Sequence, residues 1–211
     1  EIVDQVLYFA RMVKQDDQKI SNVVYMGMGE PMLNLKGVEG SLDVLMDENK
    51  LGMSKRRITV STVGYVNQFK KFIVEDGYRP QIAISLHAPT QKLRAKLMPV
   101  ANVFPLEQLF EAIDQYVSLT NKQVTYEYIL INEVNDQPKQ AHQLADLLEE
   151  RLAHVNLIPY NPVPHTSYQR SGYEKVKHFS RILNDRHVSN TVRVTMGDEI
   201  DAACGQLSVS S

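Results

Sequence analysis
One thiol stands alone among the 211 residues: Cys204, in the stretch EIDAACGQL. A single cysteine closes no disulfide within the chain and builds no cysteine-based metal site. As a thiolate it could be a nucleophile; as a thiol it could simply fill core space as a small hydrophobe. Asp198, Asp201 and Gly205 surround it in place of an apolar core segment, which leaves both uses open. Other chemistry-bearing residues fall into short groups. Gly27, Gly29 and Glu30 follow an apolar run in VVYMGMGEP. Glycines let a ligand approach the backbone, and a carboxylate can hold an ammonium group. The sequence Gly29-Glu30-Pro31 also suits a plain turn. Ser61 and Thr62 offer donors and acceptors or cap the turn that follows. Ser85 and His87 sit just past another apolar run, where a histidine is either a catalyst or a satisfied structural group. Asn132, Asn135, Asp136, Asn156 and Asn161 complete the polar set, with Gly197 beside the final acids.

These groups share one feature: all but Asn156, which lies within its run, fall at or near the carboxyl end of a segment that reads as a strand. NVVY, RITVST, QIAISL, QVTYEYILI, AHVNLI and NTVRVT are β-branched or apolar runs. The first is expected to be buried on both faces, as in a parallel sheet. Between them lie stretches of helical period, near 38–49, 66–74, 90–97, 105–118, 138–150 and 173–186, after an opening helix over 2–15. Alternating strands and helices predict one parallel α/β layer system. Parallel strands collect ligands at their carboxyl edge. The opening helix has no strand before it, so a further strand is expected upstream of Glu1.

Composition agrees with a globular α/β chain. It is 43% hydrophobic and 23% charged, which excludes a disordered or disulfide-framed class. Lys and Arg number 23 against 25 Asp and Glu, a net charge of -2, so no global basic excess announces a polyanion partner. Lys55, Arg56 and Arg57, and the run Lys92, Arg94, Lys96, are either solvated faces or local phosphate contacts. His142 and His178 read as surface residues. No apolar stretch reaches the ~18 residues of a membrane span, and a reduced, cytosolic setting is expected. Dinucleotide and triphosphate loops, HExxH, CxxC and GxSxG are all absent. No lysine lies inside an apolar strand, so a Schiff-base aldolase ranks last. The residues themselves point to a polar rim able to bind a small zwitterion or nucleotide-like ligand.

At MGMGEPMLN, RRITVSTVG, ISLHAP, LMPV, YILINEVND, HVNLIPYNP and GDEIDAACGQL, in order from about 22 to 207, the chain resembles the RlmN family. These are radical S-adenosylmethionine (SAM) methyltransferases acting on C2 of adenine in 23S rRNA and tRNA. The C8-methylating Cfr enzymes are close relatives; Pro31 and NPVP look more like the C2 branch. The resemblance implies a partial parallel (βα)6 TIM-like barrel spanning 1–211 and incomplete at its N-terminus. The first strand, the CxxxCxxC loop of a 4Fe-4S cluster and an accessory RNA-binding domain would lie upstream. No metal ligand is then expected in this chain, which would not catalyse alone. The resemblance further implies that Gly29 and Glu30 contact the amino end of SAM and Ser61 its carboxylate or ribose. Ser85, Leu86 and His87 would line the same ligand, Asn161 would meet its nucleoside part, and Cys204 would carry the methyl group. A flavodoxin-type electron donor, a monomer and a cytoplasmic location go with it. A non-catalytic SAM-binding barrel is the alternative of a different class.

Overall fold
The computed structural model describes residues 1–163 and 166–193. Cys204, with Gly197, Asp198 and Asp201, lies outside the described residues. Six parallel strands form one sheet in chain order: β1 (Val23–Tyr25), β2 (Ile58–Thr62), β3 (Gln81–Ser85), β4 (Val124–Leu130), β5 (Ala153–Pro159) and β6 (Ser189–Val192). A parallel pair needs a crossover between its strands. The connections supply α2 (Leu35–Met46), α3 (Val66–Lys70), α4 (Gln91–Leu97) with α5 (Leu106–Thr120), α6 (Pro138–Leu148) and α7 (Tyr173–Asp185). The opening helix, α1 (Ile2–Lys14), precedes β1. No pairing joins β1 to β6 among the described residues. The sheet is therefore open: a partial (βα)6 arrangement, as expected.

The sheet separates two kinds of surface, because successive side chains in a strand point to opposite faces. One face carries Ile58, Val60, Ile82, Ile84, Val124, Tyr126, Tyr128, Val155 and Leu157, all buried in a core with helix residues such as Leu42, Phe69, Leu109, Ile113, Leu144 and Phe179. Each such side chain contributes roughly 1.5–3 kcal/mol by leaving water. Tyr126 stacks on Phe110 and Tyr128 packs on Phe179, which ties α5 and α7 to β4. The other face mixes polar groups with Ile129 and Ile158. Ser85, Glu127, Asn156 and Thr191 sit level with one another on β3 to β6. Asn156 Nδ2 donates to Glu127 Oε1 (3.0 Å), and the Thr191 hydroxyl donates to Asn156 Oδ1 (2.8 Å).

One expectation is corrected. β1 is an edge strand, and Val24 is 51% exposed rather than buried. Val23 and Tyr25 pack against the core, while Val24 points to the opposite face and lines the second, open cavity. The apolar stripe of α1 forms a helix but contributes no buried residue, and Tyr8, Phe9 and Met12 stay exposed.

Candidate functional site at the carboxyl rim
Beyond β1 the chain turns through Gly27 (φ +127°) and Gly29 (φ +89°). A side chain at either position would be strained, and no atom lies within 4 Å of where its Cβ would stand. The backbone is thus left bare towards open space. Glu30 then fastens this turn. Its Oε1 accepts from the Met32 N–H (3.0 Å), and its Oε2 accepts from the Val63 N–H (2.8 Å) just past β2. One carboxylate so joins the rims of two strands, and each oxygen keeps lone-pair capacity for a ligand.

The rim of β3 is held from below and from the side. His87 takes a left-handed conformation (φ 57°). Its Nδ1 accepts from the Ile129 N–H (3.2 Å), so the ring proton belongs on Nε2. Burial, with the charge of Arg94 adding, pushes its pKa down to about 4, so the imidazole is neutral at ordinary pH. Asn135 is the brace. Its Nδ2 donates to the carbonyls of His87 (2.8 Å) and Ile129 (2.7 Å), while its Oδ1 accepts from the Ile131 N–H (2.7 Å). That corrects the expectation of a ligand-facing Asn135: the amide is consumed by backbone groups that the bend at His87 leaves unpaired. Asp136 is likewise engaged, by the Glu133 N–H, Gln137 and Ser171.

A cavity of about 180 Å³ opens between these rims. Gly27, Gly29, Glu30, Ser61, Thr62, Ser85, His87, Glu127, Ile129 and Ile158 line it. A second cavity, about 380 Å³, adjoins it across the Met26–Pro31 turn. Of the residues singled out in the sequence, Gly29, Glu30, Ser61, Ser85 and His87 meet at this place. Leu86 is fully buried and not among the lining residues; its N–H is committed to Glu127 O (3.0 Å). Asn161 also stands outside the lining, but it is buried and its Oδ1 has no partner. Glu127 was not singled out. Its signal is visible in hindsight: an acid between Tyr126 and Tyr128, alternating with buried residues along one strand.

The basic clusters separate. Lys55–Arg57 precede β2 and stand at its amino end, with the rim at the other. That strand has 5 residues, so about 13 Å of backbone divides Arg57 from Ser61 and about 16 Å divides it from Thr62. There Lys55 and Arg56 act on Lys122, whose pKa is lowered first by burial and then by their charges. In α4, Lys92 and Lys96 are exposed, but Arg94 is fully buried and cannot meet a phosphate in solvent. Among the described residues no group of His, Cys, Asp and Glu side chains could hold a metal ion, and no helix is long and apolar enough to cross a membrane.

The depressed pKa of His87 makes a stability prediction. A histidine held neutral stabilises the fold at pH values above its unfolded pKa, and the contribution fades as pH falls towards the folded one. The window runs from 6.5 to about 4. Complete burial would give at most about 3 kcal/mol, and the ring keeps some exposure. Glu127, whose pKa is raised by burial, works in the opposite sense and trims the total. The melting temperature of wild-type protein is expected to drop more steeply between pH 6.5 and 4.5 than that of His87→Gln. Parallel curves would show that the ring protonates without penalty.

No protein-family model matches the chain. It is 43% identical over 209 residues to the "Probable dual-specificity RNA methyltransferase RlmN 2" of Protochlamydia amoebophila, covering 99% of this chain and 58% of that protein. It is 48% identical over 208 residues to the "Probable dual-specificity RNA methyltransferase RlmN" of Symbiobacterium thermophilum, covering 98% and 56%. The chain thus spans less than two thirds of the length of these curated relatives. Among solved structures, a radical SAM methyltransferase from Sphaerobacter thermophilus superposes with a TM-score of 0.92 at 40% identity, over 97% of this chain and 60% of that one. A domain of pyruvate-formate lyase-activating enzyme from Bacteroides vulgatus shares the fold alone, with a TM-score of 0.60 at 21% identity over 82% of this chain and 99% of that one. By sequence and by fold, the chain is RlmN-like, with the α/β barrel sheet of the radical SAM methyltransferases.

Proposed function
We propose that the whole protein is a radical SAM methyltransferase that places a methyl group on C2 of adenine in 23S rRNA and tRNA, with Cys204 as the methyl-carrying residue. The observation that carries this reading is the rim cavity lined by Gly29, Glu30, Ser61, Ser85 and His87, in a chain 43% identical to an RNA methyltransferase over nearly all its length. The residues present suit SAM. Bare glycine backbone and a carboxylate with spare lone pairs accommodate its amino end at β1. Ser61 faces the carboxylate or ribose region. Ser85 and the Nε2–H of His87 supply donors further along the cavity, with Leu86 backing them. Asn161 and Glu127 each keep a buried oxygen in want of a donor.

When bound, SAM with a reduced 4Fe-4S cluster supplies the radical chemistry that an electron-poor carbon such as adenine C2 requires. The single cysteine of this chain cannot supply the thiolates of a CxxxCxxC loop, so the cluster belongs to residues outside it. What this chain contributes is binding and orientation, and a water-poor apolar wall from Ile129 and Ile158. A flavodoxin-type electron donor, a monomeric state and a cytoplasmic location complete the reading.

The test is product mapping. In a bacterial strain lacking its own enzyme, the whole protein is expected to restore 2-methyladenosine in nuclease digests of 23S rRNA and tRNA, read by mass spectrometry. Methyl at C8 would assign it to the Cfr type. SAM binding without any RNA methylation would leave a binding module and overturn the enzymatic reading. At the ligand itself, Ser61→Ala or Asn161→Ala is expected to weaken SAM binding by about 1–2 kcal/mol, the worth of one satisfied hydrogen bond. Calorimetric affinities equal to wild type would remove those residues from the site.

A further inference from the structure
Glu127 is the least comfortable residue of the inner face. It is 5% exposed, sits in the middle of β4 and forms part of the cavity wall beside Ser85, His87 and Ile129. Its Oε1 is occupied by Asn156 Nδ2, but its Oε2 is buried without any hydrogen-bond partner. The unpartnered oxygen cannot be relieved by turning the Asn156 amide. The Asn156 amide is engaged on both sides, because its Oδ1 accepts from the Thr191 hydroxyl, which in turn meets His154 Nε2 (3.1 Å). Burial raises the pKa of Glu127, and the hydrogen bond from Asn156 and then the charge of Arg193 pull it part of the way back. Buried carboxylate oxygens are nearly always satisfied, and one left bare at a cavity wall marks the place of a missing donor.

Geometry narrows which donor that is. With the amino end of SAM at Gly29 and Glu30 on β1, the ligand extends across β2 and β3 towards β4. The donors it carries beyond its amino end are the ribose hydroxyls and the adenine amino group, and the ribose is the nearer of the two to that end. A carboxylate is a good acceptor for a ribose hydroxyl, as it is in dinucleotide-binding folds. Glu127 is level with Ser85 on the neighbouring strand, so the two bracket the same stretch of the cavity. We infer that Glu127 is a binding residue for the ribose of SAM, its free Oε2 accepting a hydrogen bond from a ribose hydroxyl. This rests on the SAM reading of the cavity.

The test uses the whole protein, calorimetry, and unreactive probes: S-adenosylhomocysteine and its 2′-deoxy and 3′-deoxy counterparts. For wild type, one deoxy probe is expected to bind about tenfold more weakly than the parent. Glu127→Gln keeps the shape and replaces Oε2 with an amide nitrogen. It is expected to lose about tenfold for the parent probe and to bind the parent and that deoxy probe alike. A merely structural role would not produce this coupling, because it would weaken every probe equally. Equal losses for all probes, or unchanged affinity in Glu127→Gln, would overturn the assignment while wild-type binding upheld the SAM reading. Failure of wild type to bind the parent probe would overturn both.

Discussion
Arg94→Ala is expected to destabilise the protein by about 3 kcal/mol and to loosen the rim between β2 and β3. The side chain is 0% exposed, and its Nη2 donates to the carbonyls of Val63 (2.7 Å) and Ser85 (3.3 Å). Those carbonyls lie where the two strands end, so one guanidinium fixes the spacing of the rims that carry Ser61 and Ser85. Truncation removes charge-assisted hydrogen bonds worth about 1.5–3 kcal/mol each and leaves two desolvated oxygens behind. It also empties a large buried volume, which in cores costs about 2–5 kcal/mol. One effect runs the other way. Nε and Nη1 have no partner, and burial pulls the pKa down to about 10, so a cation is held at some desolvation cost that alanine abolishes. The hydrogen bonds and the volume together outweigh that relief. Arg94→Met keeps much of the volume and removes the charge, so it should fall between wild type and alanine. Chemical denaturation of the three proteins measures the order. Alanine within about 0.5 kcal/mol of wild type, the range of ordinary surface substitutions, would mean that Arg94 does not hold the rims.

Arg94 also illustrates how far the sequence could be read. Its run suggested a basic face with Lys92 and Lys96. Helical geometry separates them: 92 and 96 share a side, while 94 falls roughly opposite. Only packing tells which side is buried. The strands and their polar ends were legible because β-branched runs ending in Gly, Ser, His or Asn carry both signals in one stretch. Asn135 was legible as a polar group near a strand end, but its task was not. That task depends on a left-handed backbone at His87, 48 residues away. Glu127 was hidden by its apolar neighbours, since YEYILI reads as a hydrophobic run until the two faces of β4 are told apart. The exposure of Val24 could not be read from VVY either, because burial of a strand face depends on what packs over it.

Cys204→Ala in the whole protein is expected to abolish methyl transfer to RNA while leaving SAM binding intact. In the proposed step the thiolate sulfur attacks the methyl carbon of SAM. A new S–CH₃ bond forms as the sulfonium C–S bond breaks, and the products are a neutral thioether on Cys204 and S-adenosylhomocysteine. Atoms and charge balance only from the thiolate, so the thiol proton must leave first. Serine in place of cysteine offers an oxygen that stays protonated near neutral pH, so Cys204→Ser should be as inactive as alanine. The residues that meet SAM in this reading lie on β1 to β5, far along the chain from 204, so affinity should not follow activity. Three measurements on the same preparations separate the possibilities: calorimetry with SAM, mass spectrometry of the peptide holding residue 204, and mass spectrometry of the RNA. Wild type should show that peptide one methylene heavier after incubation with SAM, and both variants should show no such species. Methylated RNA from either variant would remove Cys204 from the reaction. Loss of SAM binding in step with activity would instead make it a structural residue of the barrel.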